Sequence, residues 1–410
     1  MQQNKLQQSK KKQYDIEIAT GKPWVKKKRY RYLYRMACQK EVIRKAFFRM
    51  KRKKKKRHDI QMAEENLDEW VDKIQQIIVN TKPEGWRVEH PELAFVPPKH
   101  RPMVIHECGK DRIIYVPTIE ELWIQHIIVM ILEPIIMGSS YHHSYSSFPG
   151  RGAHKGQKAL QRWIRSGKGI KYFAQCDIRH FYGHIKWKIV RAKLERRIQD
   201  SFFLHLIDVC MTHFPTQMPL GFYLSQWMAN FVLQGLDHAL KQVMKVPHYL
   251  RYMDNLTLAG DNKKQLHKAL EFIAQWIGKI RLRLKKDWQV FRFEFIKKNG
   301  KRTGRPVKAM GWTFHRNRTT LAKHTLVHIS DMAQRLYKKR EAHTAFPVKM
   351  CRGMMSLMGY LKHSDTYQWY LEHVKPYVRI RTLKKIISKT DKKEAKKNAG
   401  VEQRRMLCPA

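Results

Sequence analysis

The sequence is poor in acidic residues, in paired cysteines and in long apolar runs. Its 34 Asp and Glu residues face 83 Lys and Arg residues, which gives a formal net charge of +49 over 410 residues. The six cysteines are scattered without a CxxC pair, which excludes a zinc ribbon and gives no sign of a disulfide framework. The longest apolar run, residues 127–137, is interrupted by Glu133 and Pro134 and is too short to span a bilayer. These shortages predict a soluble intracellular protein.

Apolar and aromatic residues are nevertheless plentiful enough to form a large core. Hydrophobic residues make up 43% of the chain and aromatic residues 11%, which excludes wholesale disorder. The pattern places strands between helices of unequal length, an order that favours an α+β fold over a regular βαβ array. The positive charge predicts a polyanionic partner, with nucleic acid the first candidate and an anionic membrane surface the second.

Residues 1–58 concentrate the charge, with 22 Lys and Arg residues against three acids. Aromatic residues lie among these bases, and no Pro or Gly interrupts the segment between Pro23 and Arg57. Two interpretations stay open: a basic amphipathic helix over residues 23–57, or a solvated tail whose like charges repel. In both cases we expect the segment to lie outside the globular core, which begins at about residue 59, and to add to the binding of nucleic acid.

Two acidic residues stand apart because each interrupts or ends an apolar strand. Asp177 lies at the end of the predicted strand 171–178, and Asp254 lies at the polar break within the predicted strands of 248–258. A carboxylate at a strand end is exposed at the rim of a sheet while its backbone stays fixed. Two such groups on adjacent strands form a site for hard divalent cations, which take oxygen ligands. The pair therefore predicts a site for two Mg²⁺ ions, with Mn²⁺ as an alternative.

Short motifs around these acids resemble those of reverse transcriptases, in the order that the family has them. Tyr252-Met-Asp-Asn255 resembles the YxDD box, and Asp177–Tyr182 resembles the motif that carries the first catalytic aspartate. Further likenesses, over about residues 95–320 and beyond, lie at Lys110–Arg112, Val116–Thr118, Ser146–His154, Gln217–Gln226, Met310–Phe314 and Gly359–Asp365. Several motifs in the correct order make the resemblance specific.

The resemblance implies an α+β right-hand polymerase of fingers, palm and thumb with a basic helical N-terminal extension. The implied boundaries are 1–58 for the extension, 59–170 for the fingers, 171–320 for the palm with a helical insertion at 183–215, 321–390 for the helical thumb and 391–410 for a charged tail. The implied activity is RNA-directed DNA synthesis by two-metal nucleotidyl transfer. The implied partners are an RNA template, its cDNA and dNTPs, without a membrane, in the cytoplasm of a prokaryote or as a phage-encoded protein.

The same resemblance assigns roles to individual residues. Asp177, Asp254 and the carbonyl of Ile178 are the implied metal ligands, and Asn255 joins Asp177 and Asp254 as the third catalytic position. Substrate-binding roles are implied for two cations, for an aromatic residue that would exclude a ribose 2′-hydroxyl and for three residues of the motif Gln217–Gln226. These residues are Lys110, Arg112, Tyr182, Leu220, Gly221 and Gln226. Nucleic-acid-binding roles fall to a loop arginine and to three residues of the thumb: Arg151, Lys362, His363 and Arg379.

Two departures from the common motifs narrow the prediction. Asn255 replaces the usual second aspartate by an amide, which accepts hydrogen bonds but carries no charge, so a catalytically inactive RNA-binding protein stays open as an alternative. Leu220–Gln226 reads LGFYLSQ instead of QGxxxSP. This form resembles the error-prone enzymes of diversity-generating retroelements, which act with a small basic accessory protein. A phage-defence enzyme that copies a dedicated non-coding RNA is the other alternative.

Low fidelity is the testable consequence of Leu220. In the family that the chain resembles, the residue before Gly221 lies under the incoming nucleotide, where a Gln hydrogen-bonds near the sugar and a Leu only packs. We expect Leu220→Gln to lower misincorporation on an adenine-bearing RNA template, measured by sequencing the cDNA made by each protein. Equal error rates would contradict the prediction.

Overall fold

A computed structural model describes residues 29–407 except 53, 55, 56, 108, 109 and 168, and describes the backbone alone at 107, 110 and 394–407. The described chain forms two compact units. Unit 1 comprises the residues up to Gly152 together with Lys171–Val290, and unit 2 comprises Ala153–Ile170 together with the residues from Phe291 onward. Residues 1–28 of the predicted extension and residues 408–410 of the predicted tail lie outside the described part.

Helices and short strands follow one another in the irregular α+β order that the sequence predicts. The helices are α1 Leu33–Ala37, α2 Lys40–Lys51, α3 His58–Glu65, α4 Leu67–Asn80, α5 Ile119–Met137, α6 Ala153–Ser166, α7 Phe181–His184, α8 Trp187–Glu195, α9 Ser201–Cys210, α10 Tyr223–Gln242, α11 Lys263–Lys279, α12 Lys323–Glu341, α13 Val348–Leu361, α14 Tyr367–His373 and α15 Ile380–Leu407. The strands are β1 Met103–Glu107, β2 Lys110–Ile114, β3 Ser144–Tyr145, β4 Tyr172–Asp177, β5 His248–Tyr252, β6 Asn255–Gly260, β7 Gln289–Arg292, β8 Phe295–Ile296, β9 Arg302–Thr303, β10 Val307–Ala309, β11 Trp312–Phe314 and β12 Thr319–Leu321.

The central sheet of unit 1 has the strand order β3–β5–β6–β4–β7, and unit 1 ends within β7. β5 and β6 form an antiparallel hairpin, β4 pairs antiparallel with β6, and β3 pairs in parallel with β5. The register of β4 and β6 runs from Tyr172 opposite Gly260 to Asp177 opposite Asn255. Residues 256–260 are buried without alternation, which means that both faces of the sheet are covered.

Helix α5 supplies the most apolar part of the unit 1 core. It begins at the predicted capping box: the Glu121 N–H donates to Thr118 Oγ1 at 3.3 Å, and the Thr118 N–H donates to Glu121 Oε2 at 3.0 Å. α2 and α10 pack against α5, so most of its side chains are buried all round. Among the described residues, none of the helices combines the length and the apolar composition needed to cross a membrane.

The described part of the basic N-terminal segment is packed into this core. Ile43, Phe47 and Met50 of α2 are completely buried, and the ring centroids of Phe47 and Trp123 lie 4.8 Å apart. The Trp123 indole N–H donates to the Ile43 carbonyl at 2.8 Å. The expectation of an extension outside the core therefore does not hold for α2. This helix is amphipathic, but the single helix predicted over residues 23–57 is wrong, because α1 ends at Ala37 and α2 spans Lys40–Lys51.

α2 packs into the core because it carries an apolar stripe, which is hard to recognise in the sequence among so many bases. Ile43, Ala46, Phe47 and Met50 recur at helical spacing and face inward. The bases of the same helix face acids of α4 and α5, in the ion pairs Lys40–Asp72, Arg44–Asp68 and Arg49–Glu133. Part of the local positive charge is thus neutralised by acidic residues of the same chain.

Unit 2 is mainly helical, with α6, α12, α13, α14 and α15 and a small antiparallel sheet β10–β11–β12. β8 and β9 form a separate antiparallel hairpin. Trp312 and Phe314 of β11 are completely buried. The loop after α13 is tied to β12, because the Thr319 N–H donates to the Asp365 carboxylate at 2.8 Å and the Asp365 N–H donates to the Thr319 carbonyl at 2.7 Å.

The packing of α2 predicts different outcomes for two adjacent phenylalanines. Phe47→Ala removes a completely buried ring, and we expect the free energy of unfolding to fall by about 3–5 kcal/mol. Phe48 is 52% exposed, so Phe48→Ala is the matched control and should cost less than about 1 kcal/mol. Urea unfolding of both variants measures the difference. Equal losses would show that α2 does not pack on α5.

Candidate active site

Asp177 and Asp254 lie side by side at one end of the unit 1 sheet because the backbone fixes both. Asp177 ends β4 and pairs with Asn255, the first residue of β6. Met253 and Asp254 form the two-residue turn of the β5–β6 hairpin, between the paired residues Tyr252 and Asn255. The two acids predicted from separate motifs are thus brought together by strand register.

The residue after Asp177 joins the strand end to the hairpin turn. The Lys285 N–H donates to the Asp177 carbonyl at 2.9 Å, and the Arg179 N–H donates to the Arg283 carbonyl at 2.8 Å. Ile178 pairs with Leu284 between these two bonds, so its own N–H and carbonyl face the opposite side. There the Ile178 N–H donates to the Asp254 carbonyl at 3.2 Å.

The two carboxylates are close enough to influence each other. Burial raises the pKa of the Asp254 carboxyl above its ordinary value, and the negative charge of Asp177 raises it further. Lys285 and Arg112 are nearby cations that act in the opposite direction on the pKa of Asp254. Lys285 Nζ lies 2.7 Å from Asp177 Oδ1. A bound cation would relieve the repulsion between the carboxylates in the same way as these side chains do.

The donor set fits a hard divalent cation. Asp177, Asp254 and the Ile178 carbonyl offer oxygen atoms, the ligands that Mg²⁺ prefers. Asn255 adds an exposed, uncharged amide at the register position opposite Asp177. In the described part of the chain, no group of three or more His, Cys, Asp and Glu side chains is placed to hold a metal. The site therefore offers two carboxylates, and their role as metal ligands stays a prediction.

Two of the predicted substrate-binding residues lie near Asp254. Burial raises the pKa of the Tyr182 phenol above its ordinary value; Asp254 raises it further, and Arg112 and Arg251 lower it. Because Arg112 also acts on the pKa of Asp254, its exposed side chain on β2 belongs to the same neighbourhood. Lys110 begins β2, but its side chain lies outside the described part.

Leu220 and Gly221 lie against the end of β2. The Tyr115 N–H donates to the Leu220 carbonyl at 2.7 Å. Gly221 has φ +103°, and a Cβ placed there would come within 2.1 Å of the Tyr115 carbonyl oxygen, so only glycine fits. Leu220 is half-buried, and Gln226 is exposed on the first turns of α10. The motif Gln217–Gln226 is thus joined to the strand that carries Arg112.

The start of α10 rests on two polar residues of α5. The Leu224 N–H donates to Gln125 Oε1 at 3.3 Å. The His126 ring stacks on the Tyr223 ring, with centroids 4.1 Å apart. Burial, followed by the positive charges of Lys54 and Arg49, lowers the pKa of His126 to about 3, so this imidazole is neutral and acts as a flat packing surface.

The geometry is accompanied by a match that decides the family. A family model described as reverse transcriptase (RNA-dependent DNA polymerase) matches residues 97–314, more than half of the chain. The chain belongs to the reverse transcriptase family. The predicted α+β polymerase class is thereby confirmed, whereas the boundaries of fingers, palm and thumb and the roles of single residues stay predictions.

Solved telomerase structures are similar to this reverse transcriptase at low identity. The apo telomerase of Candida tropicalis truncated from its C-terminal domain is 12% identical, with TM-score 0.39, over 54% of this chain and 55% of that one. The Candida albicans telomerase with a TWJ fragment of telomeric RNA is 11% identical, with TM-score 0.39, over 66% of this chain and 54% of that one. The chain thus covers about half the length of these structures. No curated protein matches it.

A buried polar network that the sequence motifs do not predict lies behind the β5–β6 hairpin. Arg251 and Asp237 have no exposed side-chain surface, and the guanidinium donates to both carboxylate oxygens at 2.8 and 2.7 Å. The Tyr249 hydroxyl donates to the same carboxylate at 2.7 Å. A third guanidinium nitrogen, Nη1, donates to Asn230 Oδ1 and to the Met253 carbonyl, each at 3.0 Å.

This network holds a turn that is unfavourable by itself. Met253 has φ +55°, a conformation that is uncommon for residues other than glycine. Arg251 fixes its carbonyl, and the Met253 N–H donates to the Tyr145 carbonyl at 3.4 Å. The signal in the sequence is a lone Arg within an apolar strand and a lone Asp within the apolar helix α10, each of which requires a buried partner.

Arg151, which is predicted to bind nucleic acid, forms hydrogen bonds within the protein. Its Nη1 donates to Ser140 Oγ at 2.8 Å and to the Tyr141 carbonyl at 3.0 Å, and the guanidinium lies 5.6 Å from the centroid of the Phe148 ring. The Nη1 end of the guanidinium therefore stabilises the conformation of the loop. Its role toward nucleic acid stays a prediction.

The other predicted nucleic-acid contacts lie in unit 2. Lys362 follows α13 and Arg379 precedes α15, and both side chains are exposed. The His363 carbonyl accepts a hydrogen bond from Gln157 Nε2 at 3.1 Å. The centroids of the His363 and His154 rings lie 4.4 Å apart. Burial, then the positive charge of its neighbours, lowers the pKa of His363. All three residues are accessible or half-accessible, as nucleic-acid contacts require.

We predict that Arg251→Met lowers the free energy of unfolding by about 3–5 kcal/mol, because it leaves the Asp237 carboxylate buried without its counter-charge. Arg251→Lys retains the charge but not the forked geometry, so its free energy of unfolding should lie between those of Arg251→Met and the wild type. Urea unfolding measures all three proteins.

The double variant Arg251→Met with Asp237→Leu is the control that separates burial of charge from loss of packing. Replacing both charges by apolar groups should recover most of the lost stability. If the double variant is as unstable as Arg251→Met alone, an unpaired carboxylate is not the cause.

Proposed function

We propose that this reverse transcriptase copies an RNA template into cDNA by two-metal nucleotidyl transfer. The observation that carries the proposal is the register that sets Asp177 beside Asp254, with Arg112 and Tyr182 close to them. When bound, two Mg²⁺ ions would activate a 3′-hydroxyl and neutralise the charge of the pyrophosphate that leaves. Asp177, Asp254 and the Ile178 carbonyl would hold these ions, with Asn255 as a neutral neighbour.

The surrounding side chains have roles that follow from their chemistry. Arg112 offers forked donors to the triphosphate of the incoming dNTP. The Tyr182 ring excludes the ribose 2′-hydroxyl and so selects dNTPs over ribonucleotides. Leu220 and Gly221 pack beneath the nucleotide and make no hydrogen bond to its sugar. Gln226 ends the same motif on an exposed turn of α10.

Asp254→Ala tests the proposed chemistry. We expect incorporation of dNTPs on a primed RNA template to fall by about 10³-fold or more with Mg²⁺ or Mn²⁺, because one of two charged ligands is lost. Asp261→Ala is the matched control, since Asp261 is an exposed residue just after β6. Equal incorporation by Asp254→Ala and the wild type would contradict the proposal.

A second candidate function is supported by Asn255. In this alternative, two carboxylates are too few for catalysis, and the protein would be an inactive polymerase that binds RNA. Asn255→Asp distinguishes the candidates, because it supplies the third carboxylate at the register position opposite Asp177. An inactive wild type with an active Asn255→Asp variant would favour the binding protein, whereas an active wild type would exclude it.

We further propose that the enzyme belongs to a diversity-generating retroelement and is error-prone. The support is the motif Leu220–Gln226, together with a high positive charge that suits a large RNA partner. The further partner is then a small basic accessory protein. Sequencing the RNA and cDNA that co-purify with the protein tests this subtype: adenine-directed substitutions relative to a template repeat support it. A single structured non-coding RNA would instead indicate a phage-defence enzyme.

A further inference from the structure

Unit 2 carries a strongly basic hairpin, residues 295–303, formed by β8, β9 and the turn between them. Ile296 pairs with Arg302, and the Lys297 N–H donates to the Lys301 carbonyl at 3.0 Å, which closes the turn. Lys297, Lys298, Lys301 and Arg302 are exposed. The surrounding sequence, residues 295–330, contains no acidic residue.

Within the part of the chain that the structure describes, the charges of this hairpin are not neutralised by acidic side chains. Glu294 precedes it, but Glu294 is buried and accepts from His315 Nδ1 at 2.8 Å and from the Arg316 N–H at 3.3 Å. In the described portion of the chain, no carboxylate forms an ion pair with the four exposed bases of the hairpin. These four bases are therefore available to a polyanionic ligand.

The base of the hairpin is held in one orientation. Gly304 has φ +87°, and a Cβ there would come within 2.6 Å of the Phe293 carbonyl oxygen, so the two chain segments touch. The Arg305 N–H donates to the Arg292 carbonyl at 3.0 Å. The Arg305 guanidinium lies 4.4 Å from the centroid of the Phe291 ring. A hairpin fixed in this way loses little conformational entropy when it binds a ligand.

The distribution of charge over the hairpin indicates the shape of the ligand. Side chains alternate between the faces of a strand, so Lys297 and Lys301 lie on one face and Arg302 lies on the other. A flat anionic membrane would meet a single face. A folded RNA presents phosphates in several directions, so it can contact both faces of the hairpin.

We propose that the hairpin 295–303 binds the sugar–phosphate backbone of a folded RNA. This inference rests on the proposed function for its choice of RNA as the polyanion. It adds an RNA contact to those assigned from the family motifs, none of which includes residues 295–303. The contact orients the RNA without selecting its sequence, because phosphates carry no sequence information.

The test replaces Lys297, Lys298, Lys301 and Arg302 by Gln in the full chain. Affinity for a labelled RNA stem-loop is measured without nucleotides over a range of salt concentrations. Four lost phosphate contacts should reduce the slope of log K against log salt by about 3. From about 50 to about 200 mM salt, the wild type should then lose about 50-fold more affinity than the variant.

The matched control replaces four exposed lysines of unit 1, Lys263, Lys264, Lys268 and Lys279 on α11, by Gln. It changes the net charge equally and should leave the slope within about 1 of the wild type. Unfolding midpoints of both variants confirm that they are folded. An unchanged slope in the hairpin variant, or an equal reduction in the α11 variant, would overturn the proposal.

Two further measurements separate the alternatives. Loss of binding to anionic lipid vesicles with unchanged RNA binding would make the hairpin a membrane contact and would also overturn the proposal. Primer extension on a short pre-annealed template is measured in parallel. If the wild type does not extend the primer while the salt slopes differ as expected, the polymerase proposal fails and the RNA contact stands.

Discussion

Arg251 and Asp237 form an ion pair without exposed side-chain surface, and the two residues come from a strand and a helix that must meet before either charge is compensated. Removing both ions from water costs several kcal/mol per ion, and only good geometry with further hydrogen bonds offsets this cost. Tyr249, Asn230 and the Met253 carbonyl supply those bonds. The pair is therefore weak as a source of stability and strong as a constraint on geometry.

That constraint explains how two short strands hold a turn in place. A shift of one residue in β5 would turn every side chain to the opposite face and would carry Arg251 away from Asp237. The ion pair thus selects one register for the β5–β6 hairpin. Since Ile178 bonds to the Asp254 carbonyl, the same register sets the position of Asp254 relative to Asp177.

The parts of the site that follow from local pattern could be predicted from the sequence. The polar break at Asp254 between apolar strand halves marks a hairpin, and Thr118 with Glu121 marks the start of α5. Arg251 and Lys285 could not be placed, because their partners are set by tertiary contacts between distant segments. The packing of α2 could not be predicted for a different reason. The helix contains so many bases that its average composition is polar, although its buried residues lie on one face.

The charge surplus has a consequence for the energetics of the whole chain. On α2 the positive charges lie opposite the buried side chains, and acids of α4 and α5 compensate several of them, but over the whole chain the bases far outnumber the acids. A net charge of +49 destabilises a compact state through self-repulsion. A polyanion that binds the folded form relieves this repulsion and favours folding by mass action. Ligand binding and folding are in that sense thermodynamically coupled, and a polyanion that binds the folded form would raise its melting temperature.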